Sequence, residues 1–368
     1  MTIQRDVYCI LGLPFDKVNL SQALTKVLMA ALNQQGYFLS TPNLNFVVAA
    51  RKDRTFYQSV VNSDLVVVDG MPIIWVARCL GLPLTERVAG SDLFLGLTAQ
   101  TNQPLTVFFF GGKEGVAKKA HEAINAHSHP LTSVGYHFPG FVDVEAMSTE
   151  TIRQKINQLH PDLLVVALGA KKGQAWIEAN KSQLKVGVVS HLGAVINFTA
   201  GQIERAPRRW QKVGAEWLWR IKQEPQLAKR YLLDAIIFLK LLIGNVIPLW
   251  LYGIWLKRRK QAPLTLSQSH SGDQIVLSVG GSLQHSNLAA IKTVLEQVIN
   301  DQDVDVVMDW ANLTYIDSAA IGTLLLLQAK LTRKKRSLKI INLTSTIRRL
   351  LFLYGVSHQL CLTACEGE

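Results

Sequence analysis

Residues 65–70 read Leu-Val-Val-Val-Asp-Gly, and this short stretch decides the fold of the first half of the chain. Four apolar, mostly β-branched residues that stop at an acid and a glycine predict a strand buried on both faces and ending in a loop. A second run, residues 37–40, ends in the same way, in Thr-Pro-Asn at positions 41–43. Ligands of open α/β sheets bind beyond the carboxyl ends of the strands, so Asp69 is a candidate for chemistry. The alternative is that Asp69 only caps a helix beginning near Pro72.

Strand-like runs alternate with helix-length amphipathic segments between residues 7 and 200. The predicted strands are residues 7–11, 37–40, 65–68, 105–110, 131–136, 163–168 and 186–189. The predicted helices are residues 20–33, 55–62, 72–80, 92–100, 115–127 and 148–159. Repeated alternation of this kind predicts an α/β fold, with a Rossmann-like, mainly parallel sheet covered by helices on both faces.

Composition places the chain among folded, multidomain proteins. Its 368 residues are enough for two or three domains, and 18% charged against 48% hydrophobic residues excludes a disordered protein. Four scattered cysteines, at positions 9, 79, 361 and 365, indicate reduced thiols in the cytoplasm. Cys361, Cys365 and His358 lack a fourth metal ligand nearby, so we predict no metal there. The first fifteen residues are too short and too polar for a signal peptide.

The positive charge is concentrated in one segment. Residues 201–260 carry thirteen Lys or Arg against four Asp or Glu, and so hold nine of the twelve net positive charges. Such a segment attracts phosphates, either of nucleic acid or of a membrane surface. Its arginines are interleaved with tryptophans, a mixture that is typical of the bilayer interface and also of a solvated helix face over core aromatics.

An apolar run, residues 235–256, follows the arginines and is closed by Lys-Arg-Arg-Lys at 257–260. Twenty-two residues with a single lysine are long enough to cross a hydrocarbon core of about 30 Å. Both flanks are basic, which favours keeping both ends cytoplasmic. Gly244, Asn245 and Pro248 predict a break at the midpoint, so we expect a re-entrant hairpin or an in-plane helix in preference to a true span. Nucleic-acid binding does not explain the apolar run, and we predict a membrane surface instead.

A further α/β domain is expected after residue 263. A polar stretch, residues 266–273, reads as a linker. The strands expected after it are residues 275–279, 304–309 and 338–341, and the helices are residues 288–300, 318–331 and 345–354. We therefore predict three parts, comprising a Rossmann-like domain over 1–200, a basic and apolar membrane-binding appendage over 201–260, and a small α/β domain over 263–368.

Three motifs occur in order and carry a resemblance to a known family. They read Thr-Pro-Asn at 41–43, Asp-Gly-Met at 69–71 and Arg-Val-Ala-Gly-Ser-Asp-Leu at 87–93. From about Val7 to about Tyr231 the chain resembles the WecG/TagA/CpsF glycosyltransferases. The resemblance implies an inverting enzyme of cell-surface polysaccharide synthesis. Such an enzyme moves an N-acetylmannosamine-type sugar from a UDP carrier onto a polyprenyl-diphosphate-linked acceptor at the cytoplasmic face of the plasma membrane.

The same resemblance implies roles for individual residues. Asp69 is expected to be the general base, Thr41 and Asn43 to orient the acceptor or the base, and Arg87 to position substrate. The positions expected to bind substrate are Gly70, Asp92, Gly111, Gly112, Gly169, Gln174, Arg220 and Arg230. No Asp-x-Asp occurs in residues 1–260, so we expect no metal cofactor and metal-independent transfer.

Three features leave alternatives open. The glycine pair 111–112 follows a strand, and is typical of a phosphate-binding turn or of any tight turn. His191 follows the last strand, and is either a catalytic acid or base or a structural side chain. Two positions depart from the family pattern, since Gly173 stands where glutamine is usual and Leu227 where arginine is common. These departures motivate a second hypothesis, a sugar-nucleotide-binding scaffold that has lost catalysis.

Residues 309–322, which read Asp-Trp-Ala-Asn-Leu-Thr-Tyr-Ile-Asp-Ser-Ala-Ala-Ile-Gly, resemble the signature of STAS domains, the family of anti-sigma-factor antagonists. Ser318 occupies the position that a partner kinase phosphorylates in that family, and is the predicted regulatory residue. Phosphate at a helix N-terminus would act as a charge switch. The alternative is an ordinary helix start, with Asp317 as its cap. Ala319 and Ala320 replace the usual hydroxyl and glycine.

Overall fold

The computed structural model describes residues 3–99, 103–126, 130–212, 214–257, 261–272, 274–301 and 304–360. The chain forms two compact units. One unit, here the sheet unit, gathers residues 18–74 and 84–235, and the other, here the STAS unit, gathers residues 1–17, 75–83 and 236–368. The three predicted domain ranges stay predictions.

The sheet unit is built on six parallel strands. Their spatial order is Leu65–Val66, Tyr37–Ser40, Val188–His191, Leu163–Ala167, Leu105–Gly111 and Leu131–His137. In register, Leu39 lies opposite Leu65 on one side and Ser190 on the other. The predicted parallel α/β sheet is confirmed, and the carboxyl ends of all six strands share one edge.

Helices cover this sheet on both faces. Those of the sheet unit are Leu20–Leu32, Leu44–Lys52, Arg54–Val61, Gly90–Ala99, Val116–Asn125, Glu150–Asn157, Ala170–Asn180, Gly193–Thr199, Arg208–Lys212 and Glu216–Gln223, and Met71–Cys79 runs from this unit into the next. The side chains of strand Leu105–Gly111 alternate between two cores, as the pleat requires. Phe109 packs into one core, while Phe108 and Phe110 pack into the other, where Phe110 stacks on Trp176 at 4.3 Å between ring centroids.

The STAS unit contains a second sheet. Its strands Leu313–Ile316, Gln274–Leu283, Asp305–Asp309 and Leu338–Ile341 are parallel neighbours in that order, and Thr265–Ser271 pairs antiparallel with Gln274–Leu283. The helices that follow residue 263 are Leu288–Asp301, Ser318–Arg333 and Ser345–Tyr354, with a 3₁₀ turn at His285–Asn287. The predicted linker at 266–273 is therefore wrong for residues 266–271, because their backbone groups pair along the neighbouring strand. Residue 273 lies outside the described residues.

The first predicted strand, residues 7–11, is also corrected. Val7–Ile10 pairs with Leu13–Asp16 as an antiparallel hairpin in the STAS unit, not as a strand of the parallel sheet. Its tight turn is Leu11-Gly12, where both residues have positive φ, of 51° and 93°. Hairpin turns of this kind are usually formed by Asn-Gly or Asp-Gly, and the dipeptide Leu-Gly does not predict one. We call residues 7–16 the N-terminal hairpin.

The apolar segment forms one continuous helix over Pro225–Leu256, here the apolar helix, which is long and apolar enough to cross a membrane. The α-helical stretches of this region are Ala228–Leu241 and Ile247–Lys257, which are joined by a π-helical turn at Leu242–Val246. The predicted break at Gly244, Asn245 and Pro248 is wrong, because the chain keeps its direction through the π turn. A hairpin does not form here, and the in-plane helix and the single span are the forms that fit. The basic residues 258–260 lie outside the described residues.

Candidate active site

The ends of two neighbouring strands hold Asp69 beside the Thr-Pro-Asn motif. Val67 N donates to Ser40 O at 3.0 Å, and Asp69 N donates to Pro42 O at 3.0 Å. These main-chain bonds extend the pairing of the strands beyond Val66, where the regular strand ends. The backbone thus fixes Asp69 at the sheet edge where ligands of parallel sheets bind.

The Asp69 carboxylate is partly buried and weakly bonded. Among the described residues its side-chain hydrogen bond is with Gly90 N, at 3.5 Å, which is long. Gly90 is the first residue of helix Gly90–Ala99, so the carboxylate faces that helix start and not the helix that begins at Met71. A carboxylate held this loosely retains lone pairs for a substrate proton.

Burial sets the protonation of this group. It raises the pKa of Asp69 to about 7, because desolvation disfavours the charged form. The positive charge of Arg87 opposes the shift, while the negative charges of Glu216 and Asp92 add to it. A carboxyl group with a pKa near neutrality is ionised in part at neutral pH, and its carboxylate form can accept a proton, which is what general base catalysis requires.

Thr41, Asn43 and Gly70 lie around Asp69. A Cβ added to Gly90 would lie 3.5 Å from Thr41 Oγ1, so the buried threonine borders the same helix start as Asp69. A Cβ added to Gly70 would lie 3.4 Å from Asn43 Cβ. Asn43 also caps helix Leu44–Lys52, since its Oδ1 accepts a hydrogen bond from Phe46 N at 3.3 Å. The structure thus brings these predicted residues together.

Four charged side chains form a network beside Asp69. Arg87 Nη1 donates to Glu216 Oε2 at 2.7 Å, and Arg87 Nη2 lies 3.5 Å from Asp92 Oδ2. Asp92 Oδ1 in turn accepts a short hydrogen bond from Arg205. The predicted residues Arg87 and Asp92 therefore lie in one cluster. Its two other members, Glu216 and Arg205, are not among the predicted site residues. Both come from the basic segment 201–260, in which the predicted site residues are only Arg220 and Arg230.

The two other predicted arginines have partners of their own. Arg220 Nη2 lies 3.2 Å from Glu224 Oε2. It is four residues after Glu216 on helix Glu216–Gln223, and hence on the same helix face. The Arg230 guanidinium lies 5.1 Å from the centroid of the Tyr231 ring, and the side chain is exposed.

The glycine pair behaves as a tight turn. Gly111 and Gly112 have φ of 100° and 85°, and a Cβ on Gly111 would lie 2.6 Å from Ala167 O. Gly112 N donates to that same carbonyl at 2.7 Å. This N–H is thus used inside the sheet, which favours the tight-turn interpretation for Gly112. Gly169, with φ of 77°, precedes helix Ala170–Asn180, and a Cβ there would meet no atom within 4 Å.

His191 fills the space beside Gly173. A Cβ on Gly173 would lie 2.2 Å from His191 Cδ2, so glycine is the residue that fits while the imidazole is there. Burial lowers the pKa of His191 to about 4, which keeps the ring neutral, and its Nε2 has no hydrogen-bond partner among the described residues. Gln174 is fully buried, and its Nε2 donates to Ser40 Oγ at 3.0 Å. Gln174 therefore supports the strand end from inside the fold.

The predicted regulatory residue, Ser318, belongs to the STAS unit. Ser318 is buried at the start of helix Ser318–Arg333, where Asp317 Oδ1 accepts a hydrogen bond from Ala320 N at 2.9 Å, so the cap interpretation of Asp317 is correct. Cys361 and Cys365 lie outside the described residues. Across the part of the chain that is described, no three His, Cys, Asp or Glu side chains are grouped as a metal site would need. Metal-independent transfer stays a prediction.

Comparison with solved structures finds proteins that are similar to part of this chain. An anti-sigma factor antagonist from Mycobacterium paratuberculosis is 18% identical, with a TM-score of 0.26, and covers 28% of this chain and 88% of its own. The Bacillus cell fate determinant SpoIIAA in its phosphorylated form is also 18% identical, with a TM-score of 0.24. The match covers 28% of this chain and 94% of that one. A STAS domain model, described as Mlab, matches residues 266–363.

Comparison with sequences concerns the larger part of the chain. Proteins of several Staphylococcus aureus strains, named N-acetylglucosaminyldiphosphoundecaprenol N-acetyl-beta-D-mannosaminyltransferase, are 27% identical over 216 residues. The matched region is 57% of this chain and 82% of theirs. The model of the glycosyl transferase WecG/TagA/CpsF family matches residues 8–250, a span that contains the Asp69 site and its charged network. The chain therefore belongs to the WecG/TagA/CpsF family of glycosyltransferases and carries a C-terminal STAS domain.

Proposed function

We propose that this glycosyltransferase moves an N-acetylmannosamine-type sugar from a UDP donor to a polyprenyl-diphosphate-linked acceptor, in the synthesis of a cell-surface polysaccharide. The name of the Staphylococcus aureus relatives supports this sugar and this class of acceptor. The observation that carries the proposal is Asp69, a partly buried acid with a pKa of about 7 at the ligand-binding edge of a parallel sheet.

In the proposed reaction, the Asp69 carboxylate accepts the proton of the acceptor hydroxyl. The hydroxyl oxygen forms a bond to the anomeric carbon of the donor sugar, while the bond from that carbon to the diphosphate oxygen breaks. Attack from the face opposite the leaving group inverts the anomeric configuration. The electron pair of the broken bond leaves with UDP, whose developing negative charge is offset by arginines.

The charged network holds two arginines of this site in fixed positions. Arg87 is held between Glu216 and Asp92, with its side chain 15% exposed, so it presents a fixed positive charge next to Asp69. Arg205 is fixed by Asp92 in the same way. Arg220 lies on the same helix face as Glu216, and together with the exposed Arg230 it is the proposed contact for the diphosphate. Preorganised charges of this kind need not rearrange as charge develops on the leaving group.

The direct test is transfer from UDP-N-acetylmannosamine to polyprenyl-diphosphate-linked N-acetylglucosamine, with the product identified by mass spectrometry. We expect a product one N-acetylhexosamine heavier than the acceptor. The Asp69→Asn variant is expected to lose about 10²- to 10⁴-fold in rate, the range that general base catalysis contributes. Glu114→Gln, which neutralises an exposed acid of the same unit, is the matched control and should transfer at the rate of the unmodified chain.

We also propose that the enzyme acts at the cytoplasmic face of the plasma membrane, where a polyprenyl-linked acceptor resides. The apolar helix supports this, because large apolar side chains, among them Leu239 at 57% and Ile243 at 61%, are exposed along it. An in-plane helix keeps residues 261–368 on the side of the enzyme. Protease added to sealed inside-out vesicles should therefore digest those residues, and their protection would contradict the in-plane placement.

A second candidate function is a scaffold that binds a sugar nucleotide without turnover and signals through the STAS domain. The observation in its favour is the His191 ring, which occupies the space beside Gly173 where a larger side chain would lie. The transfer assay separates the two functions. A chain that binds UDP-N-acetylmannosamine yet is as inert as Asp69→Asn would favour the scaffold.

A further inference from the structure

We propose that the surface of the STAS domain around Ser318 is a clamp for the chain's own N-terminal hairpin, so that this surface holds the start of the glycosyltransferase sequence instead of a second protein. The hairpin and the STAS domain belong to the same compact unit. The family match begins at residue 8, so the clamped residues are part of the glycosyltransferase region by sequence.

The contact is centred on the residue at the switch position. Ser318 Oγ donates to Cys9 O at 2.8 Å, and Ser318 is 1% exposed. One helical turn later, Gly322 lets the hairpin approach the helix closely. A Cβ on Gly322 would lie 3.1 Å from Val7 Cγ2, 3.2 Å from Val7 O and 3.3 Å from Cys9 N. All three nearest atoms belong to the hairpin, so a small side chain at this turn is a requirement of the contact.

Polar groups at the margin fix the register of the hairpin. Lys292, which is 7% exposed, donates from Nζ to Arg5 O at 2.7 Å. Tyr8 Oη lies 3.2 Å from His285 Nδ1. Inside the N-terminal segment, Arg5 and Asp16 form an ion pair whose side chains are 8% and 6% exposed. A lysine buried to this degree needs an acceptor, and a main-chain carbonyl just ahead of the hairpin supplies one.

The apolar side chains of the hairpin need this surface. The buried members, each 4% exposed or less, are Val7, Tyr8, Cys9, Ile10, Leu13 and Phe15. An isolated two-stranded hairpin is marginally stable in water, so the fold of this segment depends on the helix Ser318–Arg333 beneath it. Only residues 17–19 separate the hairpin from helix Leu20–Leu32 of the sheet unit. Release of the clamp therefore frees the residues that immediately precede the sheet unit in the sequence.

Ser318 is placed to control the clamp by charge. Its hydroxyl is a donor to a carbonyl in a buried site, and an anionic group there has no proton to donate and repels the carbonyl oxygen. The hydroxyl is also inaccessible while the hairpin is docked, so a kinase would act on the released form and hold it open. Docking of the chain's own hairpin therefore competes with modification of Ser318.

The thiol of Cys9 reports on the clamp directly. Cys9 is 0% exposed in the docked hairpin, and burial raises the pKa of its thiol to about 12, so it is inert to a maleimide until the hairpin leaves. Cys79 is exposed and serves as the reference within the same molecule. The experiment labels the full chain in detergent micelles with a maleimide and follows each cysteine by peptide mass mapping.

We expect Cys9 to react at least about a hundredfold more slowly than Cys79, because labelling requires opening. Ser318→Asp should accelerate Cys9 labelling at least about tenfold, and the matched control Ser345→Asp, at an exposed serine of the same domain, should leave it unchanged. Gly322→Ala should also accelerate it, although alanine favours the helix itself. If Ser318→Asp loses its helical circular dichroism, the labelling rate of Cys9 in Gly322→Ala is the test of the clamp.

The proposal is overturned if Cys9 of the unmodified chain reacts as fast as Cys79. It is equally overturned if a folded Ser318→Asp chain labels Cys9 no faster than Ser345→Asp does. Where Ser318→Asp does not fold, an unchanged Cys9 rate in Gly322→Ala overturns it. None of these outcomes depends on sugar transfer, so they are independent of the proposed glycosyltransferase reaction.

Discussion

Arg87 Nη1 donates to Glu216 Oε2 at 2.7 Å, and this bond joins the loop before helix Gly90–Ala99 to the basic segment that follows the sheet. The two partners act on Asp69 with opposite signs. Arg87 lowers the pKa of Asp69 and Glu216 raises it. The protonation of the proposed base is therefore set in part by a residue almost 150 positions later in the sequence.

The opposite signs give a prediction for the pH dependence of transfer. Besides its loss of rate, Arg87→Ala should move the inflection of kcat/KM to higher pH, by about one unit, because a neighbouring positive charge is removed. Glu216→Gln should move it to lower pH, because a negative charge is removed. Initial rates at limiting acceptor from pH 5 to 9 measure both shifts. Shifts of the same sign in the two variants would contradict the assignment.

Asp69→Asn gives a prediction for stability that does not depend on activity. The folded-state pKa of Asp69, about 7, lies above its ordinary unfolded value. Between those two values the folded state binds the proton and the unfolded state does not, so the free energy of unfolding falls as pH rises. The variant should unfold at a higher temperature than the unmodified chain at pH 8 and at a similar one at pH 4.

Thermal unfolding in detergent at the two pH values measures this difference. The Glu114→Gln control should show no such pH-dependent gain. A variant that is destabilised at pH 8 would mean that the Asp69 carboxylate is stabilised as an anion by contacts in the fold. The assignment of a proton near neutrality would then be wrong.

The pair Gly173 and His191 predicts a strong coupling between two positions. Gly173→Ala should destabilise the fold by about 1–3 kcal/mol, the usual cost of overpacking, because its Cβ would overlap the imidazole. Adding His191→Ala should recover about 1–2 kcal/mol of that loss, as residues in contact do in a double-mutant cycle. Urea unfolding of the unmodified chain, of the two single variants and of the double variant measures the coupling free energy.

Gly253→Ala is the matched control for this cycle. It is also a helical glycine, and a Cβ there meets no heavy atom within 4 Å, so the variant should be neutral or slightly stabilised. Additive effects of the Gly173 and His191 changes would show that the two side chains do not compete for one space.

Two leucines of the apolar helix separate membrane binding from folding. Leu251 is 55% exposed and Leu249 is 5% exposed. Leu251→Lys should weaken binding to phosphatidylcholine vesicles, which carry no net charge to attract the lysine, roughly tenfold from lost apolar burial, with little change in unfolding. Leu249→Lys should lower the free energy of unfolding instead, because it buries a charge. Vesicle flotation and thermal unfolding read out the two effects. Equal flotation of Leu251→Lys and the unmodified chain would contradict membrane binding through this face.

Local patterns in the sequence were sufficient for the parallel sheet and for the cluster of Thr41, Asn43, Asp69, Arg87 and Asp92. Strands buried on both faces are continuous apolar runs, and their ends carry the polar residues of the site. The helix at Leu44–Lys52 is not among the predicted helices, because Asn43 is interpreted from the sequence only as a site residue and not as the cap that it also is. One side chain can serve both purposes.

Features fixed by distant pairing were not predicted. The N-terminal hairpin reads as a strand of the large sheet, and its place against the helix of Ser318 depends on residues about 300 positions away. Strand Thr265–Ser271 is polar because it lies at a sheet edge, and polar residues also compose linkers. Glu216 belongs to the site through an ion pair that no local spacing reveals.

The most direct test of the central claim is the pH dependence of kcat/KM for sugar transfer by the unmodified chain and by Asp69→Asn. If Asp69 is the base, the rate of the unmodified chain rises with pH and levels off above an inflection near 7, and the residual rate of the variant lacks that inflection. A flat profile in the unmodified chain, or the same inflection in the variant, would show that another group takes the proton.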